Sequence, residues 1–180
     1  SDSAVITVIP QPTASISGTT TICSGNSATI SFTGTPNAIV TYTVNGGVNQ
    51  TITLDTVGNA SLTTGNISSS EVYNLLQAST QTIPSCSQTL SGTATITVLA
   101  LPTASISGSS TICYNTSTTI NFVGTPNAIV TYTVNGGSNQ AIVLDSTGNA
   151  TLNTGNLAST STYSLVSVSS ATTPVCTQSI

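Results

Sequence analysis

Apolar and polar positions alternate with period two along most of this chain, the spacing of a half-buried β-strand. Strands are predicted over Ala14–Ser17, Ser27–Thr33, Ala38–Asn45, Gln50–Asp55, Asn59–Thr64, Val72–Ala78 and Thr93–Val98. Their inward-facing sets would be Ala28, Ile30 and Phe32; Val40, Tyr42 and Val44; Ile52 and Leu54; Ala60 and Leu62; and Ile96 with Val98. No stretch carries helical periodicity, so about seven short strands per module point to an all-β fold, an antiparallel immunoglobulin-like sandwich. The punctuation agrees. Asn45-Gly46-Gly47 separates two alternating runs, and Asn and Gly tolerate the positive φ of a tight hairpin. Gly58-Asn59 has the same role at the next hairpin, while Pro36 breaks the chain between two strands because it cannot donate to a ladder. Tyr73 and Tyr163 stand near the start of the sixth strand, where such sandwiches often place a corner tyrosine.

The pattern then recurs as a whole. PTASISG at Pro12–Gly18 returns at Pro102–Gly108, and GTPNAIVTYTVNGG at Gly34–Gly47 returns unchanged at Gly124–Gly137, a period of ninety residues. Near-identical modules supply reach, stiffness or multivalency, so array function is the first expectation. The phase is informative too: SDSAVITVI at Ser1–Ile9 aligns with SGTATITVL at Ser91–Leu99. Residues 1–11 therefore read as the closing strand of a preceding module with its linker, 12–101 as repeat 1, and 102–180 as repeat 2 without its closing strand. Two origins fit that phase. One is a slice of a longer array; the other is a self-assembling pilus-like subunit whose first strand completes a neighbour by donor-strand exchange. Thr93–Leu99 runs through Ala100 and Leu101 into Pro102 with almost no linker, and a jointed but fairly rigid rod is expected.

Composition narrows the function. Lys, Arg, His, Met and Trp are absent, and the only acids are Asp2, Asp55, Glu71 and Asp145, for a net charge of -4. Neutralising phosphate or anionic lipid needs cationic side chains, so nucleic acid and basic membrane attachment are excluded. No apolar run reaches the length of a membrane span and no signal peptide is present, so no membrane insertion is expected and export would be directed by regions not shown. Ser and Thr make up more than a third of the residues. Even so, the regular alternation and sparse Pro argue against both disorder and a mucin-like stalk.

Cysteine usage suggests the compartment. Cys113 and Cys176 repeat the spacing of Cys23 and Cys86, with no CxxC pair and no His, which favours disulfides over zinc and an oxidising, extracellular setting. Pairing is expected within modules, Cys23 with Cys86 and Cys113 with Cys176, each bond constraining the unfolded chain by roughly 4 kcal/mol in the chain-entropy treatment. Cross-module pairing such as Cys23 with Cys176 stays open, because both sites read as loops.

Candidate chemistry is thin. Nothing titrates near neutral pH without strong perturbation and no cation could stabilise an oxyanion, so no catalytic residue, no cofactor and no enzyme activity are expected. Two carboxylates per module are too scattered for a glycosidase pair, and Ser161 stands where the first module has Glu71. Asp55 and Asp145, followed by Gly58-Asn59 and Gly148-Asn149, could offer oxygens to calcium, but one carboxylate per site is weak; an Asp bonding its own turn is the plainer reading, and no metal is assigned. Tyr114, beside Cys113, is the one aromatic that does not repeat. It is the sole candidate for a carbohydrate contact, against a role as loop filler. Ice binding by Thr arrays is disfavoured by sandwich twist.

The order PTASISG, TIC, SATISFTGTPNAIVTYTVNGG, NQTITL, a second Cys and GTATITV resembles the tandem Ig-like or PKD-like repeats of giant cell-surface adhesins of Bacteroidota, the SprB-like gliding adhesins, across the whole chain. The resemblance implies type IX secretion to the bacterial cell surface and a structural shaft segment in a long adhesin or filament serving adhesion or gliding motility. Its partners would be neighbouring modules of the same array, with surface polysaccharide or substratum engaged through regions not shown. It also implies O-glycosylation at Asp-Ser/Thr motifs, here Ser3, Thr56 and Ser146. The competing readings are the pilus-like subunit and a carbohydrate-binding module. A shaft predicts interchangeable modules and no ligand pocket.

Overall fold

In the structure, a computed structural model, residues 2–180 are described; Ser1, the first residue of the proposed orphan strand, lies outside them. Contacts divide the chain into two units, Ser1–Val98 and Leu99–Ile180.

The first unit is built from strands β1 (Ala14–Ser17), β2 (Thr20–Cys23), β3 (Thr29–Gly34), β4 (Ile39–Val44), β5 (Gln50–Thr53), β6 (Asn59–Thr63), β7 (Glu71–Ser79), β8 (Ser87–Thr89) and β9 (Thr93–Leu99). One sheet has the order β1-β3-β6 and the other β2-β9-β7-β4-β5, with β8 also on β7. This is an immunoglobulin-like sandwich. All seven expected strands are present. The two additions are short: TTIC forms β2 on the edge of β9, and SQT forms β8 on the far half of β7.

Alternation places the apolar side chains where the two sheets face each other. Ile30, Phe32, Val40, Tyr42, Leu54, Tyr73, Leu75, Ala94 and Ile96 form the buried core, and Ile16, Ile22, Ile52, Leu62 and Val98 pack against it. Phe32, Tyr42 and Tyr73 form an aromatic ladder with centroid separations of 5.1 and 6.3 Å. The hairpin signal is realised: Asn45 and Gly46 adopt φ of 52° and 68°, and the Gly47 amide donates to the Val44 carbonyl at 2.9 Å. The Asn45 side chain has a second task, accepting from the Val72 amide at 2.8 Å, so it ties this turn to the start of β7.

The second unit repeats the plan with β10 (Ala104–Ser107), β11 (Thr119–Gly124), β12 (Ile129–Val134), β13 (Gln140–Val143), β14 (Asn149–Asn153), β15 (Tyr163–Ser169) and β16 (Thr177–Ser179). Its sheets are β10-β11-β14 and β13-β12-β15-β16. Registers are copied residue for residue: Ala14 faces Gly34 as Ala104 faces Gly124, and the register shift at Thr41/Tyr42 recurs at Thr131/Tyr132. Among the described residues, however, no strand stands on β15 where β9 stands on β7, and Ser110–Cys113, the counterpart of β2, is not a strand. Residues 2–13 are likewise not in strand conformation.

Candidate functional site

Most of the polar residues capable of chemistry are committed to local structure, and in the same way in both units. Asp55 Oδ1 accepts from the amides of Val57 and Asn59 at 2.9 and 2.8 Å, and Asp145 Oδ1 from those of Thr147 and Asn149 at 2.8 and 3.0 Å. Each carboxylate thus closes its own turn, the plainer of the two readings of these acids. Thr147 Oγ1 also donates to Asp145 at 2.7 Å. The amide of Asn149 first, then the hydroxyl and amide of Thr147, hold the Asp145 carboxyl below the usual carboxylate range. Among the described residues no group of three or more potential metal ligands gathers, and no helix is long and apolar enough to cross a membrane.

Tyr42, Tyr73 and Tyr132 behave as core. Tyr42 and Tyr132 donate to Gln50 and Gln140, each at 3.1 Å. Tyr73 is buried, but its hydroxyl donates to the Glu71 carboxylate at 2.6 Å, where a corner tyrosine would bond the backbone upstream. Burial, reinforced by the neighbouring Glu71 charge, pushes the Tyr73 phenol far above its ordinary value. Ser3, Thr56 and Ser146 are all exposed, the latter two on the Asp-closed turns.

The cysteines overturn the expected pairing. Cys23 and Cys176 are disulfide-bonded, whereas Cys86 and Cys113 are free thiols, so neither in-module pair forms. The reason lies in the topology of each unit. Cys23 ends β2 beside the turn where the Gly25 amide donates to Ile67, just before β7 begins. Cys86 lies past the other end of β7, where the Thr80 amide donates to its carbonyl at 2.8 Å and the Cys86 amide to Thr80 Oγ1 at 2.9 Å. Nine residues of β7 separate these ends by about 26 Å at strand rise. A disulfide tolerates a Cα separation of only ~7 Å. Cys113 and Cys176 are divided the same way: the Asn115 amide bonds Leu157 ahead of β15, and the Ser170 amide bonds the Cys176 carbonyl beyond it. The useful signal was therefore strand count. Cys23 and Cys86 flank different ends of the sheet however close their loops look in sequence.

The second unit also carries a groove of about 620 Å³, lined by Ile106, Ile112, Cys113, Ile120, Leu157 and Tyr163 among others. It lies between the Ile106–Tyr114 segment and the residues leading into β15, of which Tyr163 lines it, at odds with the expectation that a shaft module has no ligand pocket. In the first unit, Ala94 and Ile96 of β9 are fully buried as members of the core. Without their counterparts, Tyr163 and Leu165 are only partly buried where Tyr73 and Leu75 are buried, and Ile112 does not join the core as Ile22 does. Tyr114 is 79% exposed and stands on the groove rim.

No family model matches the sequence, and neither does any curated protein. Among solved structures, the human OSCAR ligand-binding domain is similar at 12% identity and a TM-score of 0.41, covering 94% of each chain. The FN1-FN3 domains of chicken CNTN1 are similar at 16% identity and a TM-score of 0.33, over 86% of this chain and 57% of that one.

Proposed function

We propose that this chain is a structural segment of a repetitive extracellular protein, a shaft that supplies reach and stiffness for cell-surface adhesion or gliding rather than carrying the adhesive tip. The observation that supports it is duplication of the polar framework: each unit closes a turn with its Asp, clamps a hairpin with its Asn and ties a core tyrosine, Tyr42 or Tyr132, to a Gln by the same hydrogen bond. A module evolved around a ligand would keep some of these groups for that ligand. The disulfide-bonded cysteines favour an oxidising compartment, and we place the protein outside the cell.

O-glycans on Ser3, Thr56 and Ser146 belong to the same reading, supported by their exposure. On Thr56 and Ser146 such sugars would cover turn tips without disturbing either sheet. Immunogold labelling of intact cells with antibodies to this chain is the direct test. Labelling at regular intervals along surface filaments is expected; labelling confined to the cell interior would exclude the proposal.

A further inference from the structure

One loop differs in chemistry between the two units, and a cavity lies where it does. In the first unit the loop from Thr80 to Cys86 is tied down by its own side chains. Gln81 Nε2 donates to the Asn37 carbonyl at 2.8 Å, and Ser85 Oγ donates to the Thr80 carbonyl at 3.0 Å. Ninety residues on, Ala171 stands in place of Gln81 and Val175 in place of Ser85. Neither side chain can donate a hydrogen bond. A cavity of about 450 Å³ occupies that place, lined by Pro102, Thr125, Pro126, Asn127, Ala171 and Cys176 among others. Its lining belongs to the second unit alone.

The walls of this cavity are copied from the first unit, and only the filler is missing. Asn37 and Asn127 share a left-handed backbone, with φ of 58° and 60°. The amide of each donates to the carbonyl of its turn aspartate, Asp55 or Asp145, at 3.0 Å. The next amide, of Ala38 or Ala128, donates to the carbonyl of Thr35 or Thr125 at 3.1 Å. The hydroxyl of that Thr accepts from the amide of Thr13 or Thr103 at 2.9 Å. At the far end of the loop, the Cys86 and Cys176 amides donate to Thr80 Oγ1 and Ser170 Oγ, both at 2.9 Å. The Asn127 carbonyl is therefore held as the Asn37 carbonyl is, in the orientation that receives Gln81 in the first unit.

We propose that this cavity binds a primary carboxamide, the glutamine side chain of a partner polypeptide, which takes in trans the place that Gln81 takes in cis. The carboxamide N–H donates to the Asn127 carbonyl, and the methylenes that carry it cover Pro126 and Ala171. A glutamate side chain has the same length but, once ionised, only acceptors to offer. It would meet the carbonyl oxygen with charge of the same sign, on a chain whose own net charge is -4. A contact this small is weak on its own, in the millimolar range. The inference goes beyond a purely structural role, since it gives the second unit a partner contact that the first unit fills from within.

The test is an amide NMR titration of the full chain under non-reducing conditions, with N-acetyl-glutamine methylamide as the probe. Saturable shifts are expected at Asn127, Ala128, Thr172 and Cys176. N-acetyl-glutamate methylamide at neutral pH should bind about tenfold more weakly, the effect of one lost hydrogen bond. Ala171→Gln places the first unit's residue at an exposed position, so it should fold normally, fill the cavity in cis and abolish the shifts. Gln81→Ala combined with Ser85→Val does the reverse and should open a second site, with saturable shifts at Asn37, Ala38, Thr82 and Cys86. Amide spectra of the strands check that both variants stay folded. Shifts that do not saturate overturn the proposal, as does equal binding of the glutamate probe. Tighter binding of Nα-acetyl-lysine methylamide would also overturn it, because the site would then select an ammonium rather than a carboxamide. Binding retained by Ala171→Gln, or a first unit that stays silent in the double variant, would remove the site from this loop altogether. None of these outcomes depends on whether the chain serves adhesion, which the cell-labelling experiment decides separately.

Discussion

At the scale of single residues, the Asp-closed turns give the sharpest tests. Asp145 accepts three hydrogen bonds on one oxygen, two from amides and one from Thr147, and each favours the ionised form. Its pKa in the folded state is therefore below the unfolded value, so this turn's contribution to stability is present above the unfolded pKa and lost as the pH falls through the folded one. Carboxyl NMR titration should find Asp145 below the ordinary aspartate range, and Thr147→Val should move it up toward that range; no change in the variant would refute the assignment. Gly58 has φ of 87°, and a Cβ there would strike the Gly34 carbonyl oxygen. Relief would require moving backbone, so Gly58→Ala should destabilise the first unit by more than the ~1 kcal/mol that positive φ alone costs. Urea unfolding monitored by the amides of β3 and β6 would measure it, and a cost below that figure would mean the turn relaxes freely.

Elements divide into those that hold themselves and those that borrow an edge. β3, β4 and β7 carry their own apolar alternation and pack on both neighbours, whereas β2 exists because β9 is present. Truncating Ile96, fully buried in β9, to Ala should cost about 2–5 kcal/mol in the first unit through lost burial and a cavity. Hydrogen exchange of Thr20–Cys23 should accelerate along with β9, while the amides of β11 and β12 should not respond. The same distinction explains what could be read from the sequence. Period-two runs such as TISFTG and IVTYTV announced their strands and their core residues, and Asn45-Gly46 announced its turn. TTIC and SQT did not, because their strand character comes from the edge they meet. Cysteine spacing misled because it counts residues along the chain, whereas a disulfide depends on which end of the sheet each residue reaches. The groove was not legible, because it depends on the path of Ser107–Tyr114 past Leu157 and Tyr163, which no periodicity in the sequence specifies.

For the molecule as a whole, the partition of the cysteines into a bonded pair and two free thiols is the feature that links fold to chemistry. Each unit carries one cysteine near either end of its long strand, β7 or β15, so a bond between the two within a unit is forbidden by distance. A chain with two bonded and two free cysteines should take up two equivalents of iodoacetamide under native conditions, at Cys86 and Cys113, and all four only after denaturation and reduction. Exposed Cys113 should react before half-buried Cys86. Peptide assignment needs a protease other than trypsin, because the chain has no Lys or Arg to cleave at. Labelling of Cys23 or Cys176 without reductant would contradict the bonding pattern. Protection of Cys86 or Cys113 in the purified chain would contradict it equally.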